Sequence, residues 1–420
     1  MRDPVERPRS PLALPQFGAS FGVRIALLGV VAVAVAAIAA NVIPALQGSP
    51  FGAGTAPATA SPPSVATDAP TPTPVPTPEP TPEPTPTPVP TPEPTPVLVP
   101  APLTGVLVPP EAAAYLPLAV MIDDHSAARP QSGLSEASVV WQAPAEGGIP
   151  RYMAVFQETP PTLVGPIRSA RYYYIAWAAE LRALYVHVGG SPQALATLAS
   201  KGRGQLVYNA DEFRWGGRLI WRIKERAAPH NTYSDGASLR ELATAVGATD
   251  GPIEPAWTFA PDAPLELRPD GGSITFAYST SKIAYAYDPR TNAYVRSVTR
   301  ESPQVDAASG TTIAPKNVIV MLMSFGRLDD GHPDKKRLEA DVIGSGTAWI
   351  ATNGRTIQGT WKKTALTEPT RFFDAAGNPV TLTVGQTFIN VMARGTKVTV
   401  NDGLVPVWPR PLPIEGAGAL

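Results

Sequence analysis

Ionisable side chains sit where apolar runs end in four short segments. Asp123, Asp124, His125 and Arg129 lie in MIDDHSAAR, Glu146 and Arg151 in AEGGIPR, Arg168 and Arg171 in GPIRSAR, and His187 in LYVHVGG. His230 and Asn231 follow Pro229 in APHNTY. Carboxylates and imidazoles at such positions can act as general acids or bases, and guanidinium forks can hold a phosphate or carboxylate. Asp123, Glu146 and His230 are the candidates for acid–base chemistry. Asp123, Asp124, His125, Arg129, Glu146, Arg151, Arg168, Arg171, His187, His230 and Asn231 make up the candidate ligand-binding set.

Each of these residues also has an ordinary reading. Glu146 and Arg151 would be an exposed cross-strand ion pair, contributing about 0 to 1 kcal/mol. Arg168 and Arg171 are three apart, so they share a face in the first turn of a helix predicted over Ser169 to Leu181. A helix amino terminus carries partial positive charge and prefers anions, so something negative must compensate two arginines there. That partner is either a bound anion or a carboxylate from a neighbouring strand end, namely Asp123, Asp124 or Glu146. In GGSPQ, Ser191 and Pro192 fit an N-cap and first helical position better than a phosphate loop. Two of the four histidines follow acidic pairs, in Asp123-Asp124-His125 and Asp329-Asp330-Gly331-His332, but these spacings match no standard ligand frame. No metal ion or other cofactor is expected.

Composition excludes several classes. The formal net charge is -1, which lacks the basic footprint of a nucleic-acid binder. With Cys 0 there is no disulfide, no thiolate metal site, no cysteine nucleophile and no acylated lipobox cysteine. Stability must come from packing.

The elements that present these residues follow a strong composition gradient. Residues 1–24 hold Arg2, Arg7, Arg9 and Arg24 and read as a cytoplasmic tail. Residues 25–46, IALLGVVAVAVAAIAANVIPAL, contain no ionisable side chain and match the roughly 20 residues a membrane helix needs. No Lys or Arg follows until Arg129, so the positive-inside pattern puts the amino terminus in the cytoplasm and the rest outside. The run is longer than a usual signal-peptide core, which favours an uncleaved single-pass anchor over a cleaved signal. Residues 47–102 are a Pro/Thr-rich linker expected to be disordered and extended. At about 3.1 Å per residue, some 40 residues of it would reach on the order of 120 Å. Residues 103–250 mix strand-like and helix-like runs, residues 251–400 turn to period-two strands, and 401–420 form a tail. The fold class is therefore α+β, a mixed amino-terminal domain packed on a β-rich antiparallel carboxy-terminal one. The clearest hairpin is Ala348 to Trp361, where Asn353-Gly354 supplies the positive φ of a tight primed turn.

From about Pro117 to Met392 the chain resembles the YerB-like family, extracytoplasmic bacterial proteins that are mostly lipoproteins and are described as a domain of unknown function. The likeness rests on MIDDH with ARPQSGL, EGGIPRY, GPIRSAR, HVGGSPQA and APHNTY, then on LDDGH, GSGTAWI, QGTWKK, TRFFDAAGNPV and GQTFINV, all in the family's order. Asp124 stands where the family often has Asn, and the lipid-bearing cysteine is absent. The apolar span at 25–46 would replace the lipid as anchor. The resemblance implies a location and a fold but no reaction.

Two function classes follow. No complete catalytic constellation can be assembled from the chain, so a cell-envelope binding or scaffold module is favoured. Its expected partners are the lipid bilayer through one helix and a cell-wall polymer or another envelope protein, with Trp221 in the aromatic stretch Trp215 to Tyr233 as a contact. The alternative is a hydrolase of a wall polymer that uses Asp/Glu acid–base chemistry beside an arginine-lined anion site.

Overall fold

A computed structural model describes residues 97–405. The predicted tail 1–24, the membrane span 25–46, the linker as far as residue 96 and the last fifteen residues lie outside the described residues. No helix among the described residues is long and apolar enough to cross a membrane.

The amino-terminal half supplies β1 (Leu118–Asp123), β2 (Val139–Pro144), β3 (Pro150–Phe156), β4 (Leu184–His187) and β5 (Tyr208–Asp211), with helices α1 (Tyr172–Ala178), α2 (Pro192–Lys201) and α3 (Gly236–Ala245). The carboxy-terminal half supplies β6 (Gly272–Ala277), β7 (Lys282–Asp288), β8 (Ala293–Val298), β9 (Asn317–Met323), β10 (Phe325–Arg327), β11 (Leu338–Ala340), β12 (Gly344–Thr352), β13 (Arg355–Lys363), β14 (Arg371–Phe373), β15 (Thr387–Ala393) and β16 (Thr399–Asp402). Among the described residues it has no α-helix.

One ten-stranded sheet runs through both halves in the order β14-β13-β12-β9-β15-β2-β3-β1-β4-β5. The halves join where β15 pairs parallel with β2, Thr387 through Asn390 against Val139 through Gln142. The expectation of a wholly antiparallel carboxy-terminal half is corrected here, since β15 runs parallel to β9 as well as to β2. A buried strand needs partners for its backbone groups on both edges, and β15 finds one of them in the other half. A second sheet, β8-β7-β6-β16, is antiparallel throughout.

A strand such as β1, apolar from Leu118 to Ile122, is covered on both faces. Along β1, Leu118, Val120 and Ile122 join a core with Leu239 and Leu242 of α3 and with Ile274, Phe276 and Tyr285 of the second sheet. Ala119 and Met121 face the opposite core, under Tyr173, Tyr174 and Trp177 of α1 and Leu198 of α2. Helix α2 begins as its sequence indicates, with the Ser191 hydroxyl accepting from the Ala194 amide and Pro192 in the first turn. Asp235 caps α3 through the Ser238 amide. The β12–β13 hairpin turns on Asn353 and Gly354, both at positive φ (49° and 76°), with Thr352 opposite Arg355.

Helix α1 starts at Tyr172, three residues later than the sequence suggests. Arg168 and Arg171 therefore do not share its first turn. The amide of Arg168 bonds to Met121 and its carbonyl accepts from Val188, so this segment spans the ends of β1 and β4 in extended form. Backbone pairing to two strands outweighs local helix propensity there.

Candidate functional site

Strand alternation decides which acidic residue reaches the site. Asp123 continues the face of Ala119 and Met121 and sits directly opposite Arg151 in the β1–β3 register. Asp124 turns the other way, where its carboxylate accepts from Arg129 (2.8 Å), Gln142 (2.7 Å) and Gln131 (3.3 Å). Fully buried Arg296 from β8 donates to Gln142 in the same network at 2.8 Å. Burial raises the Asp124 pKa against the pull of Arg129 and Arg296. Asp124 and Arg129 thus form a structural knot between the halves, away from solvent.

Asp123 opens onto a cleft of about 430 Å³ at the sheet end, just before α1. Its walls include Asp123, His125, Glu146, Arg151, Arg168, Ser169 and Arg171 from the first half and Asp334, Lys335 and Arg337 from the second. Arg168 pairs with Asp123 at 3.0 Å. Glu146 bridges Arg151, at 2.9 Å, and Arg171. His230 Nδ1 lies 2.7 Å from Asp123 Oδ2, the His125 amide donates to Oδ1 at 3.1 Å, and the two imidazoles stack with centroids 5.1 Å apart. Seven of the eleven residues selected from sequence, Asp123, His125, Glu146, Arg151, Arg168, Arg171 and His230, therefore meet around this cleft.

The other four do not. Asp124 and Arg129 form the knot just described. His187 is buried, with its ring nitrogens on the Gly189 carbonyl (2.8 Å) and Asn209 Oδ1 (2.7 Å). Asn231 ties its own loop together, donating to Ile223 and accepting from Arg222, each at 3.2 Å. Trp221 is half-buried in a two-residue strand against Tyr233. His332 is exposed at the tip of the β10–β11 hairpin, its amide bonded to Asp330, so the second acidic-pair histidine is a turn feature.

Glycine geometry makes the Glu146 turn possible. Gly147 and Gly148 both have positive φ (61° and 77°), and a Cβ on Gly148 would come within 2.5 Å of Ser279 Oγ. The turn is held from the second half, with the Gly147 amide donating to the Lys336 carbonyl at 3.2 Å.

The electrostatics are those of a desolvated basic site. Burial pushes the Arg151 and Arg168 pKa values down, and that of Arg171 to about 10, because charged guanidinium loses hydration. Burial would raise the Asp123 pKa, but Arg168, the His125 amide, Arg151 and His230 together hold it below the ordinary value. Five basic and three acidic side chains line the cleft, and with Asp330 behind Arg337 counted the balance remains positive. The arginines thus converge on open space and are also paired to carboxylates. Among the described residues no three His, Asp or Glu side chains gather as metal ligands.

Sequence reasoning missed Ser169, Lys335 and Arg337. Ser169 lies between the two arginines already chosen, whereas the basic run KKR at 335–337 lies more than 160 residues further along the chain and carries no local sign of its destination.

Comparison with known proteins matches this architecture. The description "Protein of unknown function (DUF3048) N-terminal domain" fits residues 103–249, and its C-terminal counterpart fits residues 274–389. The Bacillus subtilis (strain 168) protein named "Putative lipoprotein YerB" is 32% identical over 270 residues, which cover 63% of this chain and 78% of that one. The chain belongs to the YerB-like family. A crystal structure of Bacillus subtilis YerB superposes with a TM-score of 0.62 at 26% identity, covering 71% of this chain and 99% of that one. The YerB-like frame is thus shared across almost the whole of the solved relative.

Proposed function

We propose that this YerB-like protein is an extracytoplasmic, membrane-held binding module that grips an anionic group of a cell-wall polymer or envelope protein in the Arg151–Arg168–Arg171 cleft. One observation carries the reading: three guanidiniums from two backbone segments, β3 and the stretch before α1, converge on one open cleft and are stripped of much of their water. Desolvated guanidinium recognises oxyanions more strongly than exposed lysine does. The lipoprotein name of the Bacillus subtilis relative supports the location, and the apolar span at 25–46 supports a single-pass anchor with a cytoplasmic amino terminus.

A hydrolase is the second reading, favoured by the Asp123–His230 contact, in which a carboxylate orients an imidazole beside the cleft. Incubating the full chain, held in detergent, with purified peptidoglycan sacculi separates the two. The binding reading expects co-sedimentation, reduced several-fold by Arg168→Gln, and no soluble fragments. Release of fragments that stops in Glu146→Gln or His230→Gln would establish the hydrolase instead.

A further inference from the structure

The β10–β11 hairpin of the carboxy-terminal half places Lys335 and Arg337 in the lining of the cleft that also holds Arg171. Arg171 has two kinds of partner, the Ala170 carbonyl and Glu146, yet its Nε is buried and has no hydrogen-bond partner among the described residues. Arg337 is in the same condition, with Nη1 on Asp330 at 2.5 Å and a buried Nε without a partner. The side chain of Arg171 is 4% exposed. Burial is the main reason its proton is held weakly, and repulsion from Arg337 adds to it, so the two like charges lie within each other's field.

Arg171 and Arg337 line one cleft together with Arg151, Arg168 and Lys335, and these five cations meet only three lining carboxylates, Asp123, Glu146 and Asp334, so the cleft as a whole favours an added acceptor that carries negative charge. We infer that Arg171 from the first half and Arg337 from the second together form an oxyanion seat for a phosphate group, completed only when the two halves of the chain meet. This rests on the cleft being the ligand site. The class of anion follows from geometry. A carboxylate is planar with two oxygens, and the place for one is already taken by Glu146, which spends one oxygen on Arg151 and the other on Arg171. Donors supplied by three separate segments, β3, the stretch before α1 and the β10–β11 hairpin, suit a tetrahedral group whose oxygens point several ways. Lys335, exposed in the cleft lining, adds a point charge that would meet the next phosphate of a polymer.

The test measures binding of the full chain in detergent to poly(glycerol phosphate), to vesicles containing phosphatidylglycerol, and to poly-glutamate of matched charge. The seat expects one of the phosphate probes to bind best, and which one does identifies a polymer or a lipid source. Arg337→Gln should weaken that binding roughly tenfold to a hundredfold, the loss of one charged hydrogen bond. Arg337→Lys keeps the charge and the Asp330 partner, and should still lose most of the preference for phosphate over poly-glutamate. Lys362→Gln, on an exposed position of β13, is the control and should change nothing. If Arg171→Gln does not fold, the two Arg337 variants carry the result. The assignment is overturned if Arg337→Gln leaves phosphate affinity within twofold of the parent, or if poly-glutamate binds as tightly as either phosphate probe. In the latter case, with binding still sensitive to Arg168→Gln, the cleft stands as an anion site and only the phosphate seat falls. Absence of binding to all three probes removes both.

Discussion

Replacing Glu146 by glutamine removes the one carboxylate that serves two arginines, Arg151 and Arg171, whose side chains are 9% and 4% exposed. Breaking a buried pair by deleting one partner costs about 3 to 5 kcal/mol, because the remaining charge stays desolvated. Glu146 itself is 25% exposed, so water reaches one side of the cluster and the cost should fall at the low end or below, about 2 to 3 kcal/mol. For a body of this size that lowers the melting temperature by about 3 to 5 °C. The same change leaves the cleft one positive charge richer. Sulfate should therefore bind the variant better and restore up to about 2.7 kcal/mol at a hundred times its dissociation constant. Thermal unfolding of Glu146→Gln and the parent, each across a sulfate series, measures both effects. The parent series removes the general stabilisation that sulfate gives any folded protein. A melting temperature within 1 °C of the parent, with an identical sulfate response, would refute the view that Glu146 stands in for an external anion.

Lys363 is fully buried, with Nζ 2.8 Å from Glu180 and also bonded to the Leu366 and Glu368 carbonyls. Lys363→Met should destabilise by about 3 to 5 kcal/mol in urea titrations, and adding Glu180→Gln should recover part of the loss, because the orphaned carboxylate is the source of the cost. Asp123 supplies a pH prediction. Its native pKa is below the ordinary 3.8 despite burial, so its stabilising effect is complete above that ordinary value and fades as pH falls through the native one. The urea midpoint of Asp123→Asn should thus lie below the parent's at pH 7, with the gap closing below about pH 4. A gap of constant size would contradict the sign.

Much of the fold was legible because its signals are local. The Asn353-Gly354 turn and the Ser191 cap each depend on residues within a few positions of one another. The start of α1 was misplaced because Arg168 and its neighbours pair with strands about 20 to 47 residues away in sequence, a contact that helix propensity does not contain. The same reason explains the parallel placement of β15 between β9 and β2.

Sequence alone determined which side chains could do chemistry, that no cysteine is present to do any, and which family motifs the chain carries. Tertiary structure decided which of those side chains meet. Adjacent Asp123 and Asp124 part company because consecutive strand residues face opposite sides of a sheet. His187 satisfies its ring nitrogens within a buried strand end. Arg337 joins the cleft only because the second half folds back over the Glu146 turn. Residue type is a property of the chain, whereas convergence is a property of long-range packing, which no short stretch of sequence encodes.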